Sequence, residues 1–212
     1  MVSCLVLAFA VVGLDKLQPI DEAPQDKQFL EFRTNMIAAI KKKNYSYVNS
    51  RIDEDVHWSF GGGEGRDSLL QRWKEESSIE TFYDELLQVL KLGGQFGEYG
   101  EPGTKSFTAP YSFSAWPDEF DAYEYVVAVN KGVLVYAKPD TKSGQVGTLS
   151  YDIVKVSFAN DYVDGWHEIE LPNESGKTGW VERGPVRSPI SYRAIFEKKR
   201  GSWYMVMFIA GD

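Results

Sequence analysis

The stretch Tyr125-Val126-Val127-Ala128-Val129-Asn130-Lys131-Gly132-Val133-Leu134-Val135-Tyr136 sets the pattern for everything up to Val186: short apolar runs broken at close intervals by turn residues. Val126 to Val129 stops at Asn130-Lys131-Gly132, Val133 to Tyr136 stops at Lys138-Pro139-Asp140, and Gly144 and Gly147 bracket turns before Thr148-Leu149. Ile153-Val154-Lys155-Val156 and Trp166-His167-Glu168-Ile169-Glu170-Leu171 alternate apolar and polar, and Gly176-Lys177-Thr178-Gly179 leads into Trp180-Val181. Strands this short bury too little as an open sheet, so the pattern predicts closure into a small β-barrel or an added layer.

Outward from it, the C-terminal side reads as a hairpin. Tyr192 to Glu197 and Ser202 to Ile209 flank Lys198-Lys199-Arg200-Gly201, and the pair is expected either to meet an N-terminal strand or to add to the barrel. On the N-terminal side, Gln95 to Glu124 has early glycines and prolines and no sustained periodicity, which predicts a long connector. Phe107, Tyr111, Phe113, Trp116, Phe120 and Tyr123 make it aromatic enough to pack against both halves. Before it, apolar residues at helical spacing predict helices after Asp26, over Tyr45 to Ser50, from Ser68 to Glu76 with Asp67 as cap, and from about Ile79 to Leu92 with Gly93-Gly94 as the stop.

Between the second and third helix, Asp53 to Phe60 alternates strictly. Val56, Trp58 and Phe60 fall on one face and Asp53, Asp55, His57 and Ser59 on the other. Two carboxylates and an imidazole at that spacing are what a metal site or an acid/base pair uses. One strand face supplies few convergent ligands, so the reading preferred here is a solvated face, and no metal ligands are assigned. The glycines of Gly61-Gly62-Gly63-Glu64-Gly65 match neither phosphate-binding spacing, and Glu64 opposes an anion, so a tight turn accounts for them.

The 212 residues are 43% apolar and 14% aromatic, the composition of a folded globular chain, and the formal net charge of −8 disfavours a nucleic-acid partner. Cys4 is the only cysteine, which excludes an internal disulfide. It begins the apolar run Cys4 to Val12, which has the length of a signal-peptide core, with Ala8-Phe9-Ala10 as a cleavage candidate. The expected organisation is therefore a signal peptide over 1–14, a linker over 15–25, a helix-rich domain over 26–95, an aromatic connector over 96–124, an SH3-like barrel over 125–187 and a β-hairpin over 188–212. The expected location is the periplasm or the exterior, with no integral membrane segment after leader removal.

Val133-Leu134-Val135-Tyr136-Ala137-Lys138-Pro139, Gly147-Thr148-Leu149, Asp164-Gly165-Trp166-His167-Glu168-Ile169 and Gly176-Lys177-Thr178-Gly179-Trp180-Val181 together resemble a bacterial SH3 domain. Where that family usually carries Arg, this chain has Tyr136. Phe60-Gly61-Gly62-Gly63, Ala109-Pro110-Tyr111 and Pro185 to Ala194 are similar to a group of exported bacterial proteins that carry such a domain. The fold class that follows is α+β: an N-terminal helical region with one or more strands, then an SH3-like β-barrel, then a C-terminal β-hairpin. The resemblance supplies architecture, not activity, and the function expected on that architecture is that of a non-catalytic exported binding protein. Its barrel is expected to present Tyr136, Tyr151, Tyr162, Trp166 and Trp180 to a peptide or cell-wall glycopeptide, against the alternative that Trp166 and Trp180 fill the barrel core. A purely structural or interaction role for another envelope protein is a further alternative.

No nucleophile or metalloenzyme motif accompanies it: Gly-x-Ser-x-Gly and His-Glu-x-x-His are absent, and the two histidines, His57 and His167, have no thiol partner. No catalytic residue and no cofactor is assigned. The order of elements at the two ends of the chain also resembles the cone-shaped NTF2-like fold, often a small-molecule container. That resemblance implies an inserted SH3-like part and a pocket lined by Asp55 and His57.

Overall fold

The computed structural model describes residues 15–99, 103–160, 162–172 and 176–211. The expected signal peptide over 1–14 lies outside them. The first long helix, α1 (Lys27–Lys41), starts where the sequence placed it, because the Asp26 carboxylate accepts the amides of Gln28 and Phe29. Asn44 caps the short α2 (Tyr45–Asn49) in the same way. Strand β1 (Ile52–Ser59) turns through the glycines into β2 (Gly63–Glu64), which pairs back on it. Helix α3 (Arg66–Glu76) begins two residues earlier than expected: Gly65, at φ 94°, is its cap, and Asp67 sits in the first turn. Ser78 caps α4 (Ile79–Lys91), whose apolar face carries Phe82, Leu86, Val89 and Leu90.

The expected connector is instead largely structured. It contains β3 (Gln95–Glu98), β4 (Lys105–Ala109) and the single turn α5 (Tyr111–Ser114), and β4 is an interior strand. Ser106, Phe107, Thr108 and Ala109 are all buried, so the strand has no exposed face to give it an alternating pattern. Next come β5 (Tyr125–Ala128), β6 (Val133–Tyr136), β7 (Gln145–Leu149), β8 (Ile153–Lys155), β9 (Trp166–Glu170), β10 (Thr178–Glu182) and β11 (Val186–Arg187). The hairpin β12 (Arg193–Lys199) and β13 (Ser202–Ile209) closes the chain, turning at Arg200 and Gly201 with φ 52° and 81°.

Six strands form one sheet in the order β2-β1-β13-β12-β4-β3, with β13 parallel to β1 and β12 antiparallel to β4. The terminal hairpin therefore pairs with the N-terminal strand, and the sheet joins both ends of the chain. All four longer N-terminal helices pack on one face through a single core. At its centre Phe29 is enclosed by Phe107, Trp203 and Phe196, with ring centroids at 4.1, 4.9 and 5.7 Å.

The segment between β4 and β12 forms a second core from Val126, Ala128, Val133, Val135, Leu149, Val154, Ile169, Val181 and Val186. Its strands make two small sheets, β7-β6-β10-β9 and β11-β5-β8, where the sequence predicted one closed barrel. Among the described residues one bridge, Val156 with Ile169, links them, because β8 is only three residues long and ends at Lys155. The overall class is α+β, as expected.

The stretch expected as a linker is tied down at both ends. Leu17 N donates to Tyr151 O at 2.9 Å and Lys16 Nζ lies 2.6 Å from Asp152, while Arg33 holds Asp21 through two hydrogen bonds of 2.6 and 2.7 Å. Residues 15–25 thus run from the inserted sheets to α1, and Leu17, Tyr111, Val127 and Ile153 fill the seam beneath.

Candidate functional sites

Three places collect chemically useful side chains. The first is the face of the six-stranded sheet opposite the helices. Side chains on a strand alternate, so burying Val56 against the helices turns Asp55 and His57 to the other side. There they line a cavity of about 490 Å³ whose floor is Ile195, Val206 and Met207, with Glu197 and Lys199 from the hairpin. The register brings these groups together, since Met207 pairs with both His57 and Ile195. Lys199 is held 3.1 Å from Asp53, and His57 Nδ1 lies 3.4 Å from Glu64 Oε1, whereas Asp55 has no ion pair among the described residues. The far end of this face is covered by buried Arg193, whose guanidinium lies 4.5 Å from the Phe113 ring and 5.4 Å from that of Phe60. Phe60 is thus on the rim of the sheet, 54% exposed, and not in the apolar row with Val56 and Trp58. The hairpin contribution was legible in the spacing of Ile195, Glu197 and Lys199, alternate residues of one strand; their meeting with Asp55 depends on the parallel pairing of β1 with β13.

The second place is the outer face of the β7-β6-β10-β9 sheet. Trp180 is paired with Tyr136 on one side and Glu168 on the other, and Tyr136 meets Trp166 edge to face at 5.7 Å. Three of the five predicted aromatics therefore share one surface. They are half-buried there, facing away from the apolar core, so neither tryptophan fills the interior. The Glu168 carboxylate is buried among them, taking hydrogen bonds from Asn160 Nδ2 at 2.8 and 2.9 Å and from Thr178 Oγ1 at 2.8 Å. Tyr162 is 70% exposed, beside the group, with the Arg183 guanidinium 4.5 Å from its ring. Tyr151 stands elsewhere: at φ 63° it sits in the seam with Leu17, near Tyr111, whose hydroxyl burial and the Tyr151 phenol push up to about 12.

The third place had no signature in the sequence. Between α4 and the inserted sheets lies a cleft of about 850 Å³. Lys91 and Glu85 come from α4, His167 from β9, Arg183 from the turn just after β10 and Arg187 from β11. Burial and then the nearby Arg183 charge lower the His167 imidazole from 6.5 to about 4, so it is neutral at physiological pH. Among the described residues no group of three or more His, Cys, Asp and Glu side chains is placed to hold a metal ion, and no helix is long and apolar enough to cross a membrane.

No family profile and no curated protein matches the chain. Among solved structures, the chain is similar to one from Xanthomonas campestris assigned as a calcium/calmodulin dependent protein kinase II association domain, at 14% identity and a TM-score of 0.27, over 92% of this chain and 97% of that one.

Proposed function

We propose that this chain is a non-catalytic binding protein in which an NTF2-like, helix-backed sheet takes a small molecule and an SH3-like unit is inserted between β4 and β12. The observation that carries the reading is the cavity on the open face of the six-stranded sheet, with an apolar floor and, at its side, the Asp55 carboxylate, which has no ion pair among the described residues. An apolar base ringed by polar side chains that can orient an occupant is a make-up that suits a small-molecule site. Asp55 favours a ligand that is partly apolar and carries a cationic or hydrogen-bond-donating group, such as a small aromatic amine. Export to the periplasm or exterior, read from Cys4 to Val12, is part of the proposal.

The test is an NMR screen of the full chain against small aromatic amines, with the His57 ring signals as reporter. The expected hits move His57, and Asp55→Asn weakens them about tenfold, the effect of losing one charge-assisted contact of about 1.4 kcal/mol. Amines that bind Asp55→Asn/His57→Ala as tightly as the unaltered chain would reject the site.

The outer aromatic face supports a second reading, a peptide or glycopeptide contact through Tyr136, Trp166 and Trp180, because half-exposed rigid aromatics over a fixed carboxylate give contact area at small entropic cost. Co-sedimentation with cell-wall sacculi that survives high salt and is lost in Tyr136→Ala/Trp166→Ala is the expected result.

A further inference from the structure

We propose that the cleft between α4 and the inserted sheets is a binding site for a small organic oxyanion, a carboxylate or phosphate ester, held by Lys91, Arg183 and Arg187. This site is distinct from the sheet cavity and does not rest on the reading given to it. The chain as a whole carries a net charge of −8, yet the charged residues lining this cleft are three cations and one carboxylate, Glu85. Glu85 is already engaged, 2.8 Å from the Arg187 Nη2 that also donates to Tyr192 O at 2.5 Å.

The remaining donors are unspent. Arg187 Nε is buried with no hydrogen-bond partner among the described residues, so the protein's own acceptors do not saturate this guanidinium. Arg183 donates Nε to Trp166 O at 3.1 Å and lays its guanidinium 4.5 Å from the Tyr162 ring, which leaves its two terminal nitrogens without a hydrogen bond among the described residues, and Lys91 makes no ion pair among them. Two forked guanidinium groups and an ammonium form a planar and a point donor set suited to oxyanions. The volume of about 850 Å³ and the apolar lining by Leu92, Val129 and Val186 exceed what a bare inorganic anion fills, so an organic portion is expected. Neutral His167 adds a donor and an acceptor without adding charge. The cleft is walled by α4 on one side and by β9, β11 and the turn between β10 and β11 on the other, so an occupant also cross-links the inserted unit to the helical layer.

The test uses the full chain with two probes, pyrophosphate and citrate, titrated calorimetrically against sodium chloride of equal ionic strength. The two histidines are followed by NMR. At least one probe binds saturably, with a Kd below about 1 mM. It raises the His167 pKa by about one, because an anion beside the imidazole favours its protonated form. Preference for pyrophosphate assigns a phosphate ligand and preference for citrate a carboxylate. Lys91→Gln, on an exposed helix end, and Arg183→Gln each weaken binding about five- to tenfold. Absence of saturable binding by both probes, binding unchanged in both variants, or a response at His57 in place of His167 overturns the proposal.

Discussion

His167→Gln should flatten the pH dependence of stability between neutral pH and about pH 4. The imidazole loses basicity on folding, from 6.5 to about 4, first through burial and then through the Arg183 charge. In that interval the unfolded chain binds a proton that the folded chain does not, so stability rises with pH: it is complete above about 6.5 and is lost as pH falls toward 4. At about 1.4 kcal/mol per pH unit the full shift corresponds to about 3 kcal/mol. The ring is only partly shielded from water, and screening reduces this to about 2 kcal/mol, of which about 1.5 kcal/mol is lost by about pH 5. Urea unfolding of both proteins at about pH 7, 6 and 5 measures it, and the difference between the two curves removes the carboxylates common to both. The unaltered chain should lose about 1.5 kcal/mol more than the variant over that range. Parallel curves, or an NMR titration placing His167 near its ordinary 6.5, would refute the account of a buried imidazole pressed by Arg183.

Phe29→Ala removes the ring at the centre of the helix-sheet core, 0% exposed and against Phe107, Trp203 and Phe196; a loss of about 3–5 kcal/mol in urea unfolding is expected, and less than about 1 would mean the core closes around the gap. Gly179→Ala would place a Cβ 2.6 Å from Val135 Cγ1 and 3.1 Å from Leu171 Cδ2, overpacking the inserted core by about 1–3 kcal/mol; an unchanged melting temperature would show that these side chains move aside.

The glycine at position 179 illustrates what a local pattern can carry. Gly176-Lys177-Thr178-Gly179-Trp180-Val181 marks a turn and a strand by itself, and both are present. That Trp180 faces outward toward Tyr136, while Gly179 is pressed on Val135, follows from register with β6 and β9, which no single strand specifies. Asp55 and His57 are a similar case. Their shared strand face was legible from alternation, but whether that face is bare or walled depends on a hairpin about 140 residues later, which loop-closure entropy permits and local pattern cannot announce.

What the sequence determined by itself were the features with local causes. Asp26, Asn44 and Ser78 start helices because their side chains accept amides a few residues on, and Arg200-Gly201 turns the hairpin because that geometry needs positive φ. Helical spacing likewise gave the apolar face of α4. Only the tertiary structure decided the rest. It made β4 an interior strand, split the predicted barrel into two sheets sharing one core, and gathered Lys91, Arg183, Arg187 and His167 from four elements into one cleft. The physical reason is the range of the interactions: caps and turns are settled within a few residues, whereas strand pairing, burial and the field at an ionisable group depend on neighbours that are distant in the chain.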